Sequence, residues 1–315
     1  MTIQETTVSA PGKFILFGEH AVVYGQPALA APVTALEARA VVSAQMGGSS
    51  GEIWIEAPDI ELTAPVSELA PEHPLRASLA AAAGTQDLSR IPACRILITS
   101  TIPVSSGLGS SAAVSAALIR AFAAFLGRRL PDQEVSDLAF EIEKIQHGSP
   151  SGIDNSVVVF RKPVYFQQGK PLEFLAIKEP FEILVADSGI PGSTRAAVDA
   201  VRQRWLANQE ECEGLFNRIG EISGTAREVI TSGDPRELGP LMNENQVCLR
   251  ELGVSTPELD RLAESALEAG ALGAKLSGGG LGGNLIALCD TAAPRIEGAL
   301  LRAGAQSVLP TTIRG

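Results

Sequence analysis

A glycine- and serine-rich loop that joins a predicted strand to a predicted helix is the part of the sequence best suited to chemistry. The strand is expected over residues 94–101, the loop begins at Pro103, and alanine and leucine predominate over 112–126. Gly107 and Gly109 can adopt a positive φ and let an anion approach the backbone. The first turn of a helix offers unpaired N–H groups and the positive end of its dipole. The pattern therefore predicts a binding site for an oligophosphate.

Two common phosphate-binding folds fit the sequence poorly. The loop and a second run, Gly278–Gly283, both satisfy the loose dinucleotide pattern of spaced glycines. A nicotinamide-binding fold also needs a strand that ends in Asp or Glu about 20 residues further on. The sequence at 126–132 reads instead as a helix end and a loop, and the Walker pattern is absent. A nicotinamide dehydrogenase remains a distant alternative.

Composition limits the partners. The 315-residue chain carries a formal charge of −11, so we expect no nucleic-acid face, and any polyanion must be bound locally. The first ten residues lack the pattern of a secretion signal, and Arg120 interrupts the longest apolar stretch, so we expect a cytoplasmic protein without a membrane span. The four cysteines show no metal or disulfide spacing and are predicted to be buried thiols.

The order of predicted elements indicates an α+β protein. Strands are predicted at 8–17, 36–44, 52–56, 94–101, 156–160 and 181–186. Helices are predicted at 77–83, 112–126, 131–146, within 193–230, at 235–252 and at 257–269. A change of composition between residues 167 and 180 predicts two domains, 1–175 and 176–315.

The run Gly278–Gly283 holds five glycines in six positions. Glycine is costly in ordered structure, so the run needs a reason, such as a close approach by another backbone or a ligand. A flexible surface linker is the alternative. The apolar residues 285–288 follow at once and must be buried, which favours the ordered loop.

Four segments resemble those of the GHMP family of small-molecule kinases. They are Pro-Gly-Lys-Phe-Ile-Leu-Phe-Gly-Glu-His-Ala-Val-Val-Tyr-Gly at 11–25, the loop at 103–113, His-Gly-Ser-Pro-Ser-Gly-Ile-Asp-Asn at 147–155, and Lys-Leu-Ser-Gly-Gly-Gly-Leu-Gly-Gly at 275–283. Their order and spacing extend over nearly the whole chain. The first and third of them most resemble the members that phosphorylate mevalonate. The last motif departs from the usual Gly-Ala-Gly-Gly-Gly-Gly-Cys by having Gly279, Leu281 and Asn284.

The resemblance implies a fold and a reaction. The fold would be the two-domain GHMP kinase fold, with a ribosomal-protein-S5-like N-terminal domain and a ferredoxin-like C-terminal domain. The reaction would transfer a phosphoryl group from ATP, with Mg²⁺, to mevalonate, giving 5-phosphomevalonate. Phosphomevalonate, a sugar or homoserine are alternative acceptors, and a non-catalytic metabolite sensor is another alternative. The oligomeric state is left open, a homodimer included.

The resemblance also implies roles for the nucleotide and metal residues. The loop residues expected to hold the ATP phosphates are Ser105, Ser106, Gly107, Leu108, Gly109, Ser110 and Ser111. Ser111 and Glu143 resemble the two ligands of the magnesium ion, whose preference is for hard oxygen donors. A helix-capping serine and a solvated surface glutamate are the alternatives. Helical periodicity cannot choose between Glu143 and Glu141, because both lie at the edges of the apolar stripe.

The remaining roles concern the acceptor. Asp154 resembles the catalytic aspartate and Lys13 its cationic neighbour, with an Asx-turn and an exposed lysine as the alternatives. A nearby lysine would keep the carboxylate ionised and able to orient a substrate hydroxyl. Glu19 and His20 resemble the residues that position mevalonate, although a lone histidine is usually structural. The resemblance implies that the segment holding Thr194 and Arg195 closes over the substrate. The planar guanidinium group of Arg195 could bind both oxygens of the mevalonate carboxylate.

Overall fold

A computed structural model describes residues 5–86, 90–103, 107–147 and 150–314. Within these ranges, residues in mutual contact form two compact units, each built from several stretches of chain. The first unit draws on residues 5–12, 36–103 and 109–161, and the second on 13–35, 107–108 and 162–314. The boundary predicted at residue 175 divides the chain into two consecutive segments, and it stays a prediction.

The described residues contain these strands and helices. Strands β1 to β7 lie at Glu5–Phe17, Ala28–Ala44, Ile53–Ala57, Leu62–Pro65, Cys94–Ser100, Val164–Phe166 and Glu173–Phe174. Strands β8 to β11 lie at Phe181–Asp187, Gly273–Ser277, Asn284–Cys289 and Ser307–Ile313. Helices α1 to α4 lie at Pro74–Gly84, Ser110–Phe125, Asp132–His147 and Ile153–Phe160. Helices α5 to α9 lie at Thr194–Ala207, Gln209–Ser232, Leu238–Glu251, Pro257–Glu268 and Ala293–Arg302.

The first unit places a helical layer beside a sheet. Strand β3 pairs with β4 and β5, and β5 pairs with the second half of β2. Along β5 the side chains of Cys94, Ile96 and Ile98 are buried while those between them are exposed, which is the alternation of a half-buried strand. Helix α2 is rich in alanine and buried on most sides, and α1, α3 and α4 pack against it. The strand and helix that flank the predicted phosphate loop are both confirmed.

The strand predicted over residues 156–160 is wrong, because these residues form helix α4. A short apolar run that is buried on all sides does not reveal its period, and three consecutive valines suggested a strand. Gly152 begins the helix in the left-handed conformation, and the Asn155 amide binds the Ser136 carbonyl and hydroxyl at 3.1 and 2.9 Å. Packing against α2 and α3 therefore outweighs the β propensity of the valines.

The second unit contains a four-stranded antiparallel sheet in the order β11-β8-β10-β9. Helices α5 to α8 connect β8 to β9, and α9 connects β10 to β11. This succession of strand, helices, two strands, helix and strand is the ferredoxin-like pattern that was predicted. The first residues of β2 and the strands β6 and β7 pair elsewhere in the same unit.

Helix α7 covers the open edge of this sheet. The N–H groups of Ala274 and Leu276, on edge strand β9, donate to the side-chain oxygens of Asn243 and Gln246 at 3.0 and 2.8 Å. A side-chain amide thus takes the place of a missing neighbouring strand at each position. The residue between them, Lys275, is held in the middle of a fully buried strand.

The cysteines agree with the prediction of buried thiols. Cys94, Cys212, Cys248 and Cys289 are free and buried, and burial raises the pKa of the Cys94 and Cys289 thiols to about 12. None of the helices in the described ranges combines the length and the apolar character that a membrane crossing requires.

Candidate active site

The phosphate loop has the backbone conformation that its glycines predicted. Gly107 and Gly109 have φ values of 77° and 71°, in the left-handed region that other residues seldom adopt. Gly109 is the N-cap residue of α2, so the free N–H groups of the first turn begin directly after it. Ser105 and Ser106, which were predicted to bind phosphate, lie outside the described residues.

In the first unit the structure brings Ser111 and Glu143 together. The Ser111 hydroxyl donates to Glu143 Oε1 at 2.5 Å, and it also contacts Oε1 of Gln146, one helical turn further along α3. Ser111 does not cap α2, because the N-cap is Gly109. A hydroxyl, a carboxylate and an amide oxygen therefore meet beside the first turn of α2. Gln146 was not predicted, although its i+3 spacing from Glu143 on a predicted helix would have suggested it.

Burial distinguishes Glu143 from Glu141, which periodicity could not do. Glu143 is 4% exposed. The side chain of Glu141 is 63% exposed and forms an ion pair with Lys144 at 2.6 Å on the same helix. The alternative of a solvated surface glutamate therefore applies to Glu141 and not to Glu143.

Asp154 and Lys13 lie in different units, and the pairing predicted between them stays a prediction. Asp154 is half-buried at the second position of α4, where the positive end of the helix dipole favours a carboxylate. Lys13 is buried in β1, so it is not an exposed strand lysine. Its backbone N–H donates to Leu108 O at 2.9 Å and its ammonium group to Gly107 O at 3.2 Å. In the second unit Lys13 is thereby joined to the phosphate loop.

Glu19 and His20 are buried directly after β1. The His20 Nε2–H donates to the carbonyl oxygen of Gly279 at 2.8 Å, which in a neutral ring leaves Nδ1 as an acceptor. Burial lowers the pKa of His20, and the Gly279 carbonyl opposes this change. One oxygen of the Glu19 carboxylate contacts the ammonium group of Lys275, and neither of these two side chains has any exposed surface. Lys275 was quoted in a motif but was not predicted to be functional, since an ion pair between residues 256 apart leaves no local signal.

The electrostatics of this pair are set by burial and by mutual attraction. Burial raises the pKa of the Glu19 carboxyl, and the positive charges of Lys275 and, more weakly, Lys13 oppose that rise. Burial lowers the pKa of Lys275, and the Glu19 carboxylate opposes that fall. Glu19 is thus flanked by two lysines of the same unit.

The glycine-rich run is ordered and not a flexible linker. Gly280 has a φ of 74°, and a Cβ there would lie 2.3 Å from the carbonyl oxygen of Val254. That carbonyl accepts a hydrogen bond from the N–H of Leu281 at 2.8 Å. The close approach of another backbone explains why a side chain is not tolerated. The strand that follows, β10, is fully buried, as predicted.

A small cavity in the second unit is lined by Thr194, by the glycine-rich run and by Gly107 of the phosphate loop. The cavity holds about 10 Å³, roughly one water molecule, and its lining includes Gly107, Thr194, Ser277 and Gly279. A Cβ on Gly279 would lie 3.0 Å from Thr194 Cα, so the glycine that replaces the usual alanine leaves room for this residue. Thr194 and Arg195 are exposed at the start of α5.

Family models match both parts of the chain. The GHMP kinases N terminal domain matches residues 75–162, and the GHMP kinases C terminal domain matches residues 226–306. The mevalonate kinase of Pyrococcus horikoshii is 38% identical, with 96% of this chain and 94% of the relative covered. The mevalonate kinase of Thermococcus sibiricus is also 38% identical, with the same coverage.

A solved structure supports the same assignment. The L. major mevalonate kinase in complex with R-mevalonate superposes with a TM-score of 0.83, at 26% identity, over 99% of this chain and 97% of that one. The two-domain α+β fold that the motifs predicted is therefore confirmed, and so is a kinase. The chain belongs to the GHMP kinase family.

Proposed function

We propose that this protein transfers the γ-phosphoryl group of ATP to the 5-hydroxyl group of (R)-mevalonate, with Mg²⁺, and releases 5-phosphomevalonate and ADP. One observation carries the proposal. The Ser111 hydroxyl lies against the buried Glu143 carboxylate at the first turn of the helix that follows the glycine loop. Relatives that are named mevalonate kinase and are 38% identical over nearly the whole chain support mevalonate as the acceptor.

The donor atoms fit a magnesium ion that is shared with the nucleotide. Magnesium is usually held by one or two protein groups together with substrate phosphates and water. Ser111 and Glu143 supply oxygen donors of this kind, and the contact from Gln146 adds an amide oxygen. When bound, the ion would neutralise charge on the β- and γ-phosphates.

The transfer step requires an oriented hydroxyl more than a strong base. The 5-oxygen of mevalonate forms a bond to the γ-phosphorus while the bond from that phosphorus to the β,γ-bridging oxygen breaks. Asp154 accepts a hydrogen bond from the 5-hydroxyl, orients it, and takes up the hydroxyl proton late in such a loose transition state. Lys13, whose ammonium group contacts the Gly107 carbonyl in the phosphate loop, supplies positive charge that attracts the transferred group.

Glu19, His20, Thr194 and Arg195 hold the acceptor. The buried turn at Glu19 and His20 offers hydrogen-bonding groups to the hydroxyls of mevalonate, and the guanidinium of Arg195 suits its carboxylate. The contact between His20 and Gly279 and the position of Thr194 beside Gly279 support a common site in the second unit. Cytoplasmic location and a homodimer stay predictions.

A panel of acceptors tests the proposal. Purified protein is given Mg·ATP with mevalonate, 5-phosphomevalonate, galactose or homoserine, and ADP formation and product mass are measured. We expect the highest kcat/KM with mevalonate. Preference for another acceptor would contradict the choice of substrate. Binding of ATP and mevalonate without any turnover would indicate a sensor in place of an enzyme.

A further inference from the structure

The backbone at His20 adopts a rare turn. The N–H of Ala21 donates to the carbonyl oxygen of Glu19 at 2.7 Å, so the hydrogen bond encloses His20 alone. His20 has φ 61° and ψ −49°, which is the strained form of the three-residue γ-turn. Such conformations persist only where the surroundings hold them, and they concentrate at binding sites.

Strand β9 and the residues after it contact this turn and the strand before it at three points. Lys275 contacts the Glu19 carboxylate, and the Gly279 carbonyl accepts from His20. Between them, the Ser277 hydroxyl lies 3.1 Å from the N–H and 2.9 Å from the carbonyl oxygen of Ile15, so it binds the main chain of β1 both ways. Residues 275–279 therefore fix the direction of the first motif as it leaves β1.

Both polar contacts that the structure gives the Lys275 ammonium group are with groups of the protein. Besides Glu19, its ammonium group donates to the carbonyl oxygen of Leu276 at 2.6 Å. The α7 amides hold the strand on both sides of it. These contacts suit Lys275 to orient the Glu19 carboxylate.

The second oxygen of Glu19 lacks a donor. Oε2 is buried and, among the described residues, has no hydrogen-bond partner. A buried carboxylate oxygen without a donor is costly, so a bound ligand that brings a donor would be favoured there. The charge of Lys13 acts on the same carboxyl, which relates Glu19 to the lysine that is proposed to act in catalysis. Mevalonate carries a second hydroxyl, on C3, that is not phosphorylated.

We propose that Lys275 is a positioning residue, which holds Oε1 of Glu19 so that Oε2 accepts a hydrogen bond from the 3-hydroxyl group of mevalonate. The inference rests on the proposed function. It makes the pair of Lys275 and Glu19 the device by which the enzyme recognises the hydroxyl that it does not phosphorylate.

The test compares mevalonate with 5-hydroxy-3-methylpentanoate, which keeps the carboxylate, the methyl group and the reacting hydroxyl but lacks the 3-hydroxyl. Removing a hydroxyl leaves the buried acceptor unpaired, so the wild type should prefer mevalonate in kcat/KM by about tenfold or more. In Lys275→Met, which keeps the length of the side chain but not its charge, this preference should fall to near one, with the KM for ATP unchanged. Glu19→Gln should lose the preference in the same way, whereas Lys275→Arg, which keeps a charged donor, should retain part of it.

The outcomes separate the inference from the proposed function. A Lys275→Met enzyme whose kcat/KM falls equally with both acceptors would overturn the inference, because Lys275 would then only support the fold. A wild type that uses both acceptors equally well would overturn it without any variant, even if Lys275→Met does not fold. A wild type that fails to phosphorylate mevalonate at all would instead overturn the proposed function.

Discussion

The hydroxyl of Ser111 lies 2.5 Å from Oε1 of Glu143. The two residues are 32 positions apart, and the contact joins the first turn of α2 to helix α3 within one unit. Ser111 is the second residue of α2 and not its N-cap, and its hydroxyl faces a buried carboxylate. On this contact rests our proposal that Ser111 and Glu143 hold a magnesium ion.

Glu143→Gln is expected to weaken the use of magnesium, since it removes the anionic ligand. The concentration of Mg²⁺ that gives half-maximal activity should rise by about 10- to 100-fold. Glu141→Gln is the matched control two residues away, where an exposed ion pair is lost and little should change. Magnesium titrations at saturating mevalonate measure both variants. Equal effects of the two substitutions would contradict the assignment of Glu143.

Asp154→Asn is expected to lower kcat by roughly 10²-fold or more, because the amide orients the hydroxyl poorly and cannot accept its proton. The KM for ATP should change by less than about twofold, since the nucleotide binds elsewhere. Asp137→Asn, at an exposed position of α3, is the control. Steady-state kinetics with both substrates varied give the result. Turnover close to that of the wild type would remove Asp154 from the mechanism.

The pH dependence of stability should report the burial of His20. Burial lowers the pKa of its imidazole below 6.5, so near and below that pH the unfolded chain binds a proton that the folded protein resists. The stability that the neutral ring contributes is present above pH 6.5 and is lost as the pH falls. The free energy of unfolding should therefore fall less from about pH 8 to about pH 5 in His20→Asn than in the wild type.

Urea denaturation at the two pH values measures this difference. His73→Asn, at a half-exposed helix cap, is the matched histidine substitution. An equal loss of free energy of unfolding in His20→Asn and the wild type would contradict the prediction, because the buried neutral imidazole would then not cause the pH dependence.

Gly280→Ala is expected to destabilise the protein more than Gly278→Ala does. Both glycines have a positive φ, so both substitutions introduce backbone strain. Only at Gly280 would the new methyl group also meet a backbone atom, the Val254 carbonyl oxygen at 2.3 Å, while the space at Gly278 is open. The added clash should cost about 1–3 kcal/mol in the free energy of unfolding, measured by thermal or urea denaturation. Equal losses in the free energy of unfolding would contradict this prediction and would indicate that the glycine run is flexible.

The strand and the helix around the phosphate loop could be predicted because each is determined by its own short stretch of sequence. Alternation in β5, the alanine-rich composition of α2 and the glycines at 107 and 109 each reflect a preference of the backbone itself. Helix α4 was predicted wrongly, since its valines carry no period and packing against α2 and α3 decides its conformation.

The site was predicted less completely, because its geometry depends on distant residues. Glu143 is buried and Glu141 is exposed because of how α3 packs against α2, and the periodicity of one helix does not include its neighbours. The partnership of Glu19 and Lys275 joins residues at opposite ends of the chain and has no sequence signal. The resemblance implied the roles of these residues, and those roles stay predictions.

Phosphorylation of mevalonate is the reaction that we propose for this chain. The most direct test is to mix the purified protein with Mg·ATP and (R)-mevalonate and to follow the products by ³¹P NMR. We expect a new phosphomonoester resonance that grows in equal amount with ADP, and that requires both Mg²⁺ and mevalonate. ATP that stays intact, or ADP and inorganic phosphate without a phosphomonoester, would contradict it.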